Sequence, residues 1–287
     1  MKYLKYFFQF LGIFFLFLIF KILGLKFSSI LSSKIFKQLG PFFRSKSVCK
    51  KNLTKAFPNI SEFEQRKIIN EMWCNYGKIF AEYIFIKNFR NSKDFQKKIF
   101  VENQYLLENI KNDKNPVIFI SGHFNNFELM AMHIERSGLN LAAIYRPLNN
   151  FFINPFMEKI RKKYICKKQI KKGISGTKEI LKLFKDGSSI ALMIDQRVSE
   201  GIKCSFFNEK AFTTTIPAQF VKKFKSKIVP IYIERTKDEN FKITINNPLK
   251  FKDDDSIEYI TSALNLELEK MIIKNPSQWI WTHNRWK

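Results

Sequence analysis

The apolar positions change rhythm three times along the chain, and each rhythm predicts a different kind of element. From Phe7 to Leu25 the run FFQFLGIFFLFLIFKILGL is broken only by Gln9 and Lys21. A run this continuous predicts a helix with no water-facing side. At about 1.5 Å per residue it just matches a hydrocarbon core about 30 Å thick. Preceded by Lys2 and Lys5, and with no small-residue cleavage pattern between Lys21 and Phe27, it is expected to be a retained anchor over residues 1–25. A true span with Lys21 snorkelling, shallow insertion and burial in a core are all compatible with that pattern. From Phe27 to Leu53 the apolar Ile30, Leu31, Ile35 and Leu39 alternate at helical spacing with Lys34, Lys37, Arg44, Lys46, Lys50 and Lys51. That reads either as a basic collar lying on anionic lipid headgroups or as an ordinary solvated basic face.

Farther on, Ser61 followed by Glu64 makes a capping box. Ile68, Ile69, Met72, Tyr76, Ile79, Phe80 and Tyr83 then continue with a 3.6-residue period, which predicts one helix from Glu62 to Phe85. Beyond about Phe95 the rhythm shortens to four apolar runs, Val117–Ile120, Leu141–Ile144, Ile190–Ile194 and Ile228–Tyr232, separated by stretches of helical period. This is the texture of βαβ units around a largely buried sheet, so the fold class is α/β. With no repeat and no low-complexity linker, residues 26–287 are expected to form one domain, with a helical cap over 26–90 and a core over 91–287.

Composition narrows the possibilities. Apolar residues make up 45% of the 287-residue chain and aromatics 16%, which excludes a disordered protein. Fifty Lys and Arg against 25 Asp and Glu leave a net charge of +25, which calls for an anionic partner. Nucleic acid is a poor candidate: the lysines are dispersed, no recognition motif is present, and the lipid-seeking helix has no place in such a protein. Cys49, Cys74, Cys166 and Cys204 form no C-x-x-C pair, and His123, His133 and His283 are the only histidines. Neither a zinc site nor a disulfide framework is therefore expected.

In a parallel sheet, ligands gather beyond the carboxyl ends of the strands. The first run is followed by Ser121-Gly122-His123-Phe124-Asn125-Asn126-Phe127-Glu128 and then a helical pattern. Residues five apart on one helix point about 140° away from each other, so His123 and Glu128 can meet only if His123 precedes the helix. With Asn125 as N-cap, Glu128 stands at the third helical position and the His123 ring folds back onto it. An imidazole oriented by a carboxylate is a general base suited to an alcohol. The opposing reading makes Glu128 a capping residue and His123 a loop residue, while His133, inside the helix, reads as structural. The next strands end in Tyr145-Arg146-Pro147 and in Asp195-Gln196-Arg197. An arginine there can fork onto phosphate or carboxylate, and Asp195 and Gln196 either fix that arginine or cap their own loop. Arg161 stands among Lys159, Lys162 and Lys163, where it is also readable as one solvated charge among several.

Taken together, Gly122-His123 with Glu128, Tyr145-Arg146-Pro147, Asp195-Gln196, Phe206-Phe207, Val229-Pro230 and the terminal Gln278–Trp286 stretch resemble the late lipid A biosynthesis acyltransferases, in order and spacing over nearly the whole chain. The anchor and the Asn52-Leu53 to Phe57-Pro58 stretch fit the same resemblance. It implies a glycerolipid-acyltransferase-like mixed sheet flanked by helices, with the N-terminal helix anchoring the protein in the inner membrane and the enzyme on its cytoplasmic side. It further implies transfer of a fatty acyl chain from an acyl carrier protein thioester to a hydroxyl of a lipid A precursor, without a cofactor. By position, His123 and Glu128 become the catalytic dyad, and Arg146, Arg161, Asp195 and Gln196 become substrate-binding candidates. The same chemistry on another membrane lipid is the alternative. Two departures stand out: Asn125-Asn126-Phe127 replaces the common Gly-Asn-Trp, and Asn208 replaces a glycine after the Phe-Phe pair.

Overall fold

The computed structural model describes residues 1–43 and 46–287; Arg44 of the expected collar lies outside them. The N-terminal run forms α1 (Lys2–Phe43), bent at Gly24, whose φ of 73° and ψ of 170° are not helical. The Ser28 hydroxyl closes that bend by donating to the carbonyls of Phe20 (2.7 Å) and Gly24 (2.6 Å). Helix α2 (Lys46–Ala56) follows, then α3 (Glu62–Glu82) with the expected capping box at Ser61 and Glu64. The final turn predicted for α3 tightens instead into a 3-10 turn over Tyr83–Phe85 before α4 (Ile86–Asn91) and α5 (Lys93–Gln96). The second half of α1 packs closely on α3: a Cβ on Gly77 would collide with the Ser32 carbonyl, and one on Gly40 with the Trp73 ring.

The core alternates as its pattern predicts. In chain order it comprises β1 (Ile99–Glu102), α6 (Tyr105–Asp113), β2 (Ile118–Ser121), α7 (Glu128–Arg136), β3 (Leu141–Tyr145), α8 (Asn154–Ile160) with a π turn over Arg161–Ile165, β4 (Lys168–Lys171), α9 (Ile174–Lys185) and β5 (Ser189–Met193). A hairpin of β6 (Ile202–Phe206) and β7 (Glu209–Thr213) stands apart from the main sheet. The chain ends with α10 (Ile216–Phe224), β8 (Ile228–Arg235), β9 (Phe241–Ile245) and α11 (Ile257–Lys274). Seven strands form one sheet in the order β1-β9-β8-β2-β5-β3-β4, parallel at every pairing except β8 with β9. This is the expected α/β class, a central, mostly parallel sheet flanked by helices, with a long apolar N-terminal helix as candidate membrane anchor. The central strands β2 and β8 are buried through Ile118, Phe119, Ile120, Val229 and Ile231. Apolar runs without alternation are what such doubly covered strands require.

Candidate functional site

Register brings the site together. In the parallel pair β2 and β5, Ser121 stands beside Met193, so the residues two steps beyond, His123 and Asp195, emerge abreast at the carboxyl edge of the sheet. The His123 ring meets Asp195 there: Nδ1 lies 2.8 Å from Oδ1. Its backbone N–H donates to Oδ2 at 2.7 Å, and the indole N–H of Trp279 donates to the same oxygen at 2.9 Å. Gly122 makes the approach possible, since a Cβ there would sit 2.9 Å from the Phe124 ring and 3.2 Å from the Asp195 carboxylate.

Glu128 therefore does not orient the imidazole as its spacing predicts. Helix α7 begins at Glu128 itself with Phe127 at the N-cap, and Asn125 does not cap it. Asn125 instead adopts a left-handed φ of 41° and binds Asn75 and Gln278 through its amide. Turned from the ring, Glu128 is claimed by two donors. The Arg161 guanidinium reaches its Oε1 with Nη2 at 2.6 Å and Nε at 2.8 Å, and the Tyr83 hydroxyl donates to the same oxygen at 2.5 Å. Arg161 is thus a nearly buried, paired cation and not one solvated charge among several. The tightened turn at Tyr83 is what aims that hydroxyl, and nothing in the sequence pattern singled Tyr83 out.

Charge completes the picture. Burial alone opposes protonation of His123 and is the largest single influence, but Asp195, with a smaller contribution from Glu128, outweighs it and holds the imidazole above the ordinary histidine range. Asp195 itself is pushed up by burial, yet the imidazole and its three hydrogen-bond donors outweigh that and keep it below the usual carboxylate range. Because a carboxylate only accepts, Nδ1 carries the proton toward Asp195, and Nε2 is left with its lone pair for whatever enters the cavity that His123 lines.

That cavity has a volume of about 1200 Å³ and straddles the sheet edge. Small side chains make part of its lining: Ala143 and Ala191, in register on β3 and β5, and Ala131 of α7. Arg146 and Gln196 line it, Arg146 exposed, whereas Asp195 is fully buried and is not among the lining residues. Of the remaining histidines, one stands away from the cavity and one lines it. His133 bonds Gln104 through Nε2, and burial pulls it down to about 4; His283 lines the cavity and accepts the Arg197 backbone N–H at 3.1 Å. All four thiols are free, with burial pushing Cys49 up to about 11 and Cys166 up to about 12, so neither is a ready nucleophile at neutral pH.

A histidine held by a buried carboxylate at the edge of a mostly parallel sheet, beside a cavity of this size, has the form of a candidate enzyme active site. The chain belongs to the bacterial lipid A biosynthesis acyltransferase family, whose description it matches over residues 1–287. It is similar to a lipid A biosynthesis acyltransferase of Haemophilus influenzae, 25% identical over 260 residues covering 88% of this chain and 81% of that protein. It is likewise similar to lipid A biosynthesis acyltransferase 2 of Shigella flexneri, 23% identical over 80% of this chain and 74% of that protein. The lipid A biosynthesis myristoyltransferase of Escherichia coli K12 is 22% identical over 80% of this chain and 71% of its own length. The protein is an acyltransferase of lipid A biosynthesis.

Proposed function

We propose that this acyltransferase moves a fatty acyl chain from an acyl carrier protein thioester onto a hydroxyl of a lipid A precursor, with His123 as the base. The observation that carries the reading is the His123–Asp195 hydrogen bond, which leaves Nε2 free toward the cavity. Nε2 takes the acceptor's hydroxyl proton as the alkoxide oxygen attacks the thioester carbonyl. Asp195 holds the tautomer and stabilises the imidazolium that forms. The tetrahedral oxyanion then collapses, the C–S bond breaks, and the thiolate takes the proton back from the imidazolium. Glu128 serves in this scheme by fixing Arg161, the cation beside the cavity available to the developing oxyanion, and by favouring the imidazolium at longer range. The chemistry calls for no cofactor. A surface of net charge +25 favours an acidic carrier and a phosphorylated lipid alike. The apolar α1 supports attachment to a membrane, taken in this proposal to be the inner membrane with the core on its cytoplasmic side.

Mass spectrometry of lipid A and phospholipids from cells lacking the gene tests this, with complementation by wild type or His123→Ala. Loss of one acyl chain from lipid A, restored by wild type and not by the variant, is the expected result. Unchanged lipid A beside an altered phospholipid would move the acceptor to another lipid while keeping the fold.

A further inference from the structure

Length alone permits the first part of α1 to cross a membrane: from Lys2 to Leu23 it is about 33 Å long at about 1.5 Å per residue. Its contacts argue otherwise. Tyr6, Phe10, Ile13, Phe17 and Phe20, three or four residues apart, form a more buried stripe along the helix. The two ends of that stripe both rest on the rest of the molecule. Near the N-terminus the rings of Tyr3 and Tyr6 lie 4.7 and 5.7 Å from Phe151, and Asn150 donates to the Tyr6 carbonyl at 2.9 Å. At the other end Phe17 and Phe20 lie 5.0 and 6.2 Å from Phe80 of α3. A helix that crosses a bilayer touches a water-soluble domain at one end only; this one is held along its length.

The face opposite the stripe, with Phe8, Leu11, Phe15, Leu18 and Ile22, is exposed and apolar. It adjoins the segment that follows β3 and the first turn of α8, where Phe151 and Phe156 remain 40% and 56% exposed although they pack beside α1. Lys159, Lys162 and Lys163, exposed one to two turns beyond Phe156, and Lys21 on the helix supply cations where phosphate headgroups would lie. Lys21 would be costly in mid-bilayer and is well placed at an interface.

We infer that α1 lies in the plane of the membrane and, with the 148–156 segment, forms one apolar surface inserted into a single leaflet. This rests on the membrane attachment proposed above and goes beyond it by fixing topology and adding a second inserted element. Because the segment directly follows Tyr145-Arg146-Pro147 at the cavity rim, the same surface seats the mouth of the site at the lipid headgroups.

The test uses the full-length protein in a Cys74→Ser background, with Lys2→Cys or Lys185→Cys labelled by a membrane-impermeant maleimide in sealed vesicles of known orientation. Labelling of both positions from the same side is expected; labelling of Lys2→Cys only from the side opposite Lys185→Cys would overturn the inference and leave membrane attachment standing. Recovery of the protein in the soluble fraction would overturn both. A second variant, Phe156→Trp, reconstituted in vesicles carrying brominated lipids, is expected to lose roughly half of its added fluorescence, more to bromines near the headgroup than to deep ones. No quenching would remove the 148–156 segment from the inserted surface.

Discussion

Asp195 shows how much a single buried carboxylate can decide. Its two oxygens meet two side-chain donors and one backbone N–H, and it is fully buried, so its contacts in the fold serve to orient His123. Asp195→Asn preserves the volume but offers an amide where Nδ1 expects an acceptor. The imidazole would then turn to the tautomer with its proton on Nε2 and could no longer receive one. A loss of about 10²- to 10⁴-fold in kcat is expected, with the protein still folded, as for His123→Ala. The pH profile separates orientation from packing. The base works only when neutral, so activity falls as pH drops through the His123 pKa. Burial works to lower that pKa, but Asp195 and Glu128 hold it above the ordinary value of 6.5. The acid limb of kcat/KM is therefore expected above 6.5 in the wild type and lower in Glu128→Gln, which removes one of the two charges. A wild-type limb at or below 6.5 would contradict the pairing.

At the scale of elements, the two departures from the family pattern turn out to preserve backbone geometry. Asn125 has φ 41° and Asn208 has φ 60°, both in the left-handed region that asparagine enters more readily than any other residue with a Cβ except its close kin. Phe207 and Asn208 together close the β6–β7 hairpin between the paired Phe206 and Glu209, both with positive φ, as a two-residue turn of type I′ demands. Asn208→Gly is expected to leave thermal stability nearly unchanged, whereas Asn208→Val should cost about 1–2 kcal/mol, read as a lower unfolding midpoint. Equal stability of the two variants would mean that the turn does not depend on that conformation. The elements themselves were unevenly legible. Strands β2, β3, β5 and β8 announce themselves as apolar runs because both of their faces are covered. By contrast β1 and β4, the outermost strands, read Ile-Phe-Val-Glu and Lys-Gln-Ile-Lys and pass for loop, since an edge strand needs fewer buried positions. That His123, Glu128, Arg161 and Asp195 come together was legible in the sequence as a convergence at one sheet edge. Their pairing was not, because which carboxylate meets the imidazole depends on strand register, a relation between residues 72 positions apart that local spacing does not contain.

For the whole molecule, the dispersed motifs behave as parts of one support. Asn52 on α2 donates to the carbonyls of Trp281 and His283, and Gln278 accepts from the Asn125 amide and the Arg235 backbone N–H. Arg285 is buried against Thr213 and Asn265, and Trp279 reaches Asp195. The C-terminal segment thus ties the cap, the β6–β7 hairpin and the His123–Asp195 pair together, which accounts for motifs at both ends of a chain whose candidate site lies in the middle. The same integration bears on the anchor. A helix joined only through a flexible tether would leave a soluble enzyme behind when removed. Here removal of residues 1–23 strips the cover from Phe80 and Phe152, while the part of α1 beyond Gly24 keeps Phe27, Ile30, Leu31 and Leu39 exposed beside Lys34 and Lys37. Apolar area of that extent without a partner favours lipid or self-association over water. The truncated chain is therefore expected to sediment with membranes or as aggregate and to require detergent for extraction. Recovery as a soluble monomer with an intact melting transition would show that α1 is an appendage whose contacts with Phe80 and Phe151 contribute little to the fold.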